Sequence, residues 1–193
     1  MEEEGASVTL AAVTKKPVVG MIMPAGIFIE PPFGLIYRKF KPQVTFNEVD
    51  SKNYDALVIA GGPSPEVIKL AENGALLDLI RDFDNEGKVI AAYALSSYIL
   101  LNAGVLSGKE YTICKGCLPM YPEVLNALED ERSGAILDKD MAPKVVISGN
   151  VITGWGPLAM EEFSETLVEA IKDKDALLRT GYAGVMLKLI NRF

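Results

Sequence analysis

Apolar residues along the chain gather in short unbroken runs and seldom alternate with polar ones. Pro17 to Met23 contains Val-Val-Gly-Met-Ile-Met, Asp55 to Gly62 contains Ala-Leu-Val-Ile-Ala before two glycines, and Val89 to Ala94 reads Val-Ile-Ala-Ala-Tyr-Ala. Such runs, apolar on both faces and closed by Gly or Pro, predict buried strands of a mostly parallel sheet covered by helices. Between them the period changes. Gly34 to Phe40 predicts a short helix after Pro31-Pro32, and Ser64-Pro65 predicts an N-cap followed by proline in the first helical turn. Ala75 to Phe83 sets Leu76, Leu77, Leu79, Ile80 and Phe83 on one helical face, and Ser96 to Ala103 predicts a helix stopped by Gly104. Alternation of strand and helix from Pro17 to Gly104 predicts an α/β doubly wound domain.

The pattern continues with a short strand at Tyr111 to Cys114 and a helix at Pro122 to Leu128. Val145-Val-Ile-Ser and Val151-Ile-Thr, joined by Gly149-Asn150, predict a β-hairpin. Met160 to Lys172 repeats apolar residues at Phe163, Leu167 and Ile171, the spacing of an amphipathic helix. Asp175 to Phe193 carries Leu178, Tyr182, Val185, Met186 and Leu189 roughly on one helical face, interrupted by Gly181 and Gly184. The expected organisation is a tail or added edge strand over 1–16, one domain over 17–174, and a helical extension of that domain over 175–193.

Composition narrows the function. At 193 residues, 49% hydrophobic and 23% charged, the chain has ample material for a core. Its 26 acidic against 19 basic residues give a net charge of −7, and no basic stretch tracks a phosphate backbone, so nucleic acid is not an expected partner. The longest apolar run, Val89 to Leu95, is far short of the roughly 20 residues of a bilayer span, and the start Met1-Glu2-Glu3-Glu4 is acidic. A cytoplasmic protein without membrane attachment is expected. The chain contains no histidine, which removes the usual base of Ser-His and Cys-His catalysis and the imidazole ligands of most zinc and iron sites. The two cysteines, Cys114 and Cys117, are too few for a four-ligand zinc site. Neither a metal nor a cofactor is expected.

Ligands of open α/β sheets bind at the carboxyl ends of strands, which directs attention to Gly61-Gly62, to Ala94-Leu95-Ser96 and to Cys114. Paired glycines bring backbone N–H groups close to a ligand, and a helix starting near Ser96 adds partial positive charge, a combination suited to a carboxylate or oxyanion. Ser96 and Ser97 flank the strand-to-helix bend and are expected to cap the helix rather than attack a substrate. Cys114-Lys115-Gly116-Cys117 has the spacing of a redox pair with a lysine beside it, and also of a structural disulfide.

Several segments, taken in order, resemble the ThiJ/PfpI superfamily, the DJ-one group of the class I glutamine-amidotransferase-like fold. Tyr54-Asp-Ala-Leu-Val-Ile-Ala-Gly-Gly-Pro resembles the strand leading to the family's Gly-Gly oxyanion turn. Phe83 to Ala92 and Leu101 to Lys109 resemble the strand before its nucleophile elbow and the helix after it. Gly149-Asn-Val-Ile-Thr-Gly-Trp-Gly-Pro resembles its hairpin ending in Thr-Ser-Arg-Gly-Pro. The resemblance implies a flavodoxin-like three-layer sandwich with a mostly parallel sheet, helices on both faces and a β-hairpin. It also implies a cysteine ten residues before the glycine at 104, and that position is Ala94. The next position, often histidine in hydrolytic members, is Leu95, and Trp155 replaces the family's arginine. Glu30 lies in the region of the family's acidic residue, and Cys114 falls near a histidine of one branch.

The resemblance therefore points to a pseudoenzyme, a non-catalytic binder of a small carboxylate or carbonyl metabolite or a protein-contact member, lined by Gly61, Gly62, Ala94, Leu95, Ser96 and Trp155. It implies a homodimer or larger homo-oligomer. The alternative is a thiol-dependent enzyme, redox or hydrolase/deglycase-like, using Cys114 or Cys117 with Glu30 as acid. A glutamine amidotransferase needs the same missing cysteine and histidine.

Overall fold

The computed structural model describes residues 5–22, 36–62, 65–128, 145–156 and 159–173. The chain divides into two compact units, 1–50 and 51–193. In the first, β1 (Ala11–Ala12) runs parallel to β4 (Val44–Thr45), and β2 (Val18–Ile22) pairs antiparallel with β3 (Ile36–Phe40). Two expectations change here. The Gly34 to Phe40 segment, expected as a helix, is strand from Ile36 onward, in register with Ile22 through Val18. Its Ile-Tyr start favours a pleated surface, and five consecutive residues find ladder partners. The Val18 run is a strand as expected, but it joins an antiparallel pair and leaves Val18 and Val19 exposed. The boundary expected at residue 16 falls inside this unit.

The second unit is built on a four-stranded sheet in the order β5 (Ala56–Ile59), β6 (Val89–Tyr93), β8 (Val151–Gly154), β7 (Val145–Ser148). The first two pairings are parallel, and β7–β8 is the expected antiparallel hairpin. Gly149 starts its turn with φ 61, a conformation that glycine reaches without steric cost. The Asn150 side chain donates to the Lys88 carbonyl at 3.0 Å and to Asp84 at 3.1 Å, fixing the turn against the start of β6.

Helices cover both faces of this sheet, as the apolar runs require. α2 (Gly74–Asn85) begins at Asn73, whose side chain accepts from the Leu76 N–H at 3.0 Å, and it buries Leu76, Leu79, Ile80 and Phe83. With α3 (Ser97–Ala103), which ends at Gly104 with φ 80, it packs on one side of β6. On the other side α5 (Met160–Lys172) sets Phe163, Leu167 and Ala170 against Val89, Ala91, Val145 and Ile152. Burying each of the large ones, such as Phe163 and Leu167, contributes on the order of 1.5–3 kcal/mol. α1 (Pro65–Leu70) opens with proline at its first residue, and α4 (Pro122–Leu128) coincides with its predicted span. Tyr111 to Cys114 is not a ladder strand: Tyr111 makes a single bridge, and a 3-10 turn follows over Lys115–Met120. Among the described residues no helix is long and apolar enough to cross a membrane. The helix expected at 175–193 lies outside them.

Candidate ligand site at the strand-to-helix bend

The end of β6 carries the sharpest backbone feature of the second unit. Ala94 has φ 57, and among the described residues it is the one non-glycine with positive φ. An L-residue in this region costs about 1–2 kcal/mol, so the surroundings must hold it there. They do so from inside. Ala94, Leu95 and Ser96 form a 3-10 turn that leads directly into α3, and all three are buried. The Ser96 hydroxyl accepts from the Tyr93 N–H at 2.9 Å. It lies 2.7 Å from the Tyr93 carbonyl and 3.0 Å from the Ile59 carbonyl, to one of which it donates its single proton at a time.

One hydroxyl thus spans the bend and ties it to the end of β5. The expected capping role of Ser96 is corrected: its side chain makes no cap hydrogen bond to α3. Ser97 is equally committed, donating to the Thr112 carbonyl at 2.8 Å, while the Thr112 N–H donates to Thr153 Oγ1 at 2.9 Å. Both hydroxyls are wholly buried and hydrogen-bonded to main chain. Thr112 and Thr153 are part of this scaffold, and sequence reasoning passed over both. Nothing in a strand-like Tyr-Thr-Ile or Ile-Thr-Gly run marks a threonine that bonds across the sheet.

Gly61 and Gly62 follow β5 and reach the same place. A Cβ on Gly61 would overlap the Tyr93 carbonyl and stand 3.1 Å from Ser96 Oγ, so only glycine lets the turn lie against the bend. Gly62 differs, since a Cβ there would meet nothing within 4 Å. From the β8 side, a Cβ on Gly154 would lie 2.8 Å from a Phe163 ring carbon and 3.0 Å from a Tyr93 ring carbon. Tyr93 and Phe163 pack at 5.5 Å between centroids, tilted by 54°. The Tyr93 hydroxyl is buried with no partner among the described residues, and burial pushes the phenol up to about 12. Trp155 follows Gly154 and is half-buried.

The structure therefore brings the Gly61-Gly62 turn and the Ala94–Ser96 bend together. The methyl of Ala94 occupies the apex, and the Leu95 side chain is wholly buried. Glu30 lies outside the described residues. Cys114 and Cys117 are joined in a disulfide at the start of the Lys115–Met120 turn, both largely buried. In that form neither sulfur is a free nucleophile. Among the described residues no three His, Cys, Asp or Glu side chains gather as metal ligands.

The chain is similar to known proteins. The chain is 30% identical over 171 residues to a protein of Methanocaldococcus jannaschii, covering 89% of this chain and 71% of that one. It is 30% identical over 132 residues to Deglycase PfpI of Pyrococcus furiosus, covering 68% of this chain and 71% of the relative. The crystal structure of Drosophila melanogaster DJ-1beta superposes with a TM-score of 0.57 at 26% identity, over 77% of this chain and 73% of that one. The family model described as DJ-1/PfpI matches residues 1–170, so the chain belongs to the DJ-1/PfpI family.

Proposed function

We propose that this protein binds a small carboxylate or carbonyl compound at the bend between β6 and α3 and does not turn it over. The observation that carries the reading is the pairing of conformation and residue at position 94. The backbone adopts a φ of 57 at the apex of the bend, and the side chain carried there is a buried methyl group. A methyl cannot form the covalent intermediate that a thiol or hydroxyl forms, and the chain has no histidine to act as base. What the site retains is binding chemistry: main-chain N–H groups of a glycine turn and of a helix start, which attract negative charge. The same reading takes the protein to be a cytosolic homodimer or larger homo-oligomer, which light scattering of the purified chain measures directly.

The name of the Pyrococcus relative favours a second reading, a deglycase-like enzyme. In this chain its thiol would come from Cys114 or Cys117, and it requires the bond between them to be open.

Binding without turnover separates the two readings, and Gly62 locates the binding. Alanine at Gly62 adds a methyl in open space, so the fold tolerates it while the turn that faces the ligand is crowded. Titration calorimetry with small carboxylates and aldehydes is expected to find a saturable ligand whose affinity falls at least about tenfold in Gly62→Ala, a loss of roughly 1.4 kcal/mol. No consumption of the aldehyde is expected. Turnover of an aldehyde or amide by the unmodified protein would overturn the reading.

A further inference from the structure

The Cys114–Cys117 bond takes no part in the proposed ligand site, and its position gives it a separate use. Cys114 precedes the 3-10 turn and Cys117 is its third residue, with Cα atoms 5.4 Å apart. The Cys117 N–H donates to the Cys114 carbonyl at 3.0 Å, so main-chain bonding already places the two sulfurs side by side. The segment before them is anchored independently, through Ser97 to the Thr112 carbonyl and through the Thr112 N–H to Thr153. Ile113 and Leu118, which bracket the pair, are buried. The bond encloses only Lys115 and Gly116, and the entropy a cross-link removes from the unfolded chain grows with loop length, so this one adds little as a staple.

Access is the second consideration. Lys115 and Gly116, the two residues between the cysteines, are exposed, and a Cβ on Gly116 would meet nothing within 4 Å among the described residues. The sulfurs belong to residues 9% and 7% exposed, at the surface boundary rather than in the deep core. Lys115 follows Cys114 directly in the chain, so the segment that carries the pair also carries a positive charge.

We propose that Cys114 and Cys117 form a thiol–disulfide exchange site, interconverted by small-molecule thiols and disulfides without unfolding of the chain. A small thiolate attacks one sulfur, forms a mixed disulfide and releases the other cysteine as thiolate. A second thiolate attacks the small-molecule sulfur of that mixed disulfide. Two thiols are thereby oxidised to one disulfide, and two electrons and two protons pass to the protein pair. The reverse direction consumes a small disulfide and closes the bond.

The test incubates the native chain in mixtures of reduced and oxidised glutathione, traps free thiols by alkylation and counts them by mass spectrometry. The doubly alkylated fraction is expected to rise from about one tenth to about nine tenths over roughly a hundredfold change in the ratio of thiol squared to disulfide. Circular dichroism is expected to stay native throughout. Cys117→Ser is expected to hold the glutathione adduct at Cys114. A pair that stays oxidised in every mixture and opens only in denaturant would overturn the proposal, as would loss of native dichroism in step with reduction. The wild-type titration decides the matter even if Cys117→Ser fails to fold.

Discussion

At Ala94 a side chain that makes no polar contact sits on a backbone that most residues avoid, and the neighbours that hold it there are legible one by one. Tyr93 is the least settled of them. Its hydroxyl is buried with no partner among the described residues, and an unpaired buried hydroxyl costs about 1–3 kcal/mol. Tyr93→Phe removes that hydroxyl while keeping the ring against Phe163, and it is expected to stabilise the chain by about 1 kcal/mol in urea unfolding. The phenol is also raised from 10 to about 12 by burial. With the folded value above the unfolded one, stability is unaffected by this group below pH 10 and falls as pH rises from 10 toward 12. Stability measured across this interval is expected to fall more steeply in the wild type than in Tyr93→Phe. Equal slopes would place the ionisation elsewhere.

Among the elements, the glycine turn after β5 and the bend after β6 act as one unit. Gly61→Ala would drive a methyl into the Tyr93 carbonyl, which main chain cannot relieve cheaply. A destabilisation of about 2–3 kcal/mol is expected in thermal or urea melts. Gly62→Ala, one residue along, is expected to fall within about 0.5 kcal/mol of wild type. The contrast was not readable from Gly-Gly in the sequence, because only packing distinguishes the two. Longer periodic elements were readable: α2, α4, α5 and the β7–β8 hairpin lie where apolar spacing and turn residues put them. Gly34 to Phe40 and Tyr111 to Cys114 were not. In the first, a few apolar residues fit a helix and a strand equally, and pairing with β2 decided it. In the second, Thr112 spends its main-chain groups on Ser97 and Thr153, leaving no ladder to extend. The chemistry of position 94 came from counting against a resemblance, whereas its positive φ came only from the structure.

For the whole molecule, acid is the informative condition, since 26 carboxylates outnumber 19 basic groups. Each unit contains a carboxylate held below its ordinary range. In the first, the Lys15 ammonium and then the Thr45 N–H lower Glu48 from 4.5 to about 2. In the second, Lys88 and then Ser51 lower Glu86. A lowered carboxylate stabilises the fold above its unfolded value, and the contribution is lost as pH falls through the folded one. Carboxyl NMR of the intact chain is expected to show Glu48 still charged at pH 3 and to show its midpoint rise in Lys15→Ala, while the Thr45 hydrogen bonds keep it below the ordinary value. An unchanged Glu48 midpoint in that variant would shift the credit to Thr45. Because the pair is exposed, the effect on overall stability is small and weakens with salt.

The Ser96 hydroxyl has one more implication. It anchors the bend through atoms that belong to residues 59, 93 and 96, and none of them belongs to residue 94. The hydrogen bonds that hold the bend are therefore independent of the side chain at its apex, and an exchange of that side chain leaves every one of their donors and acceptors in the chain.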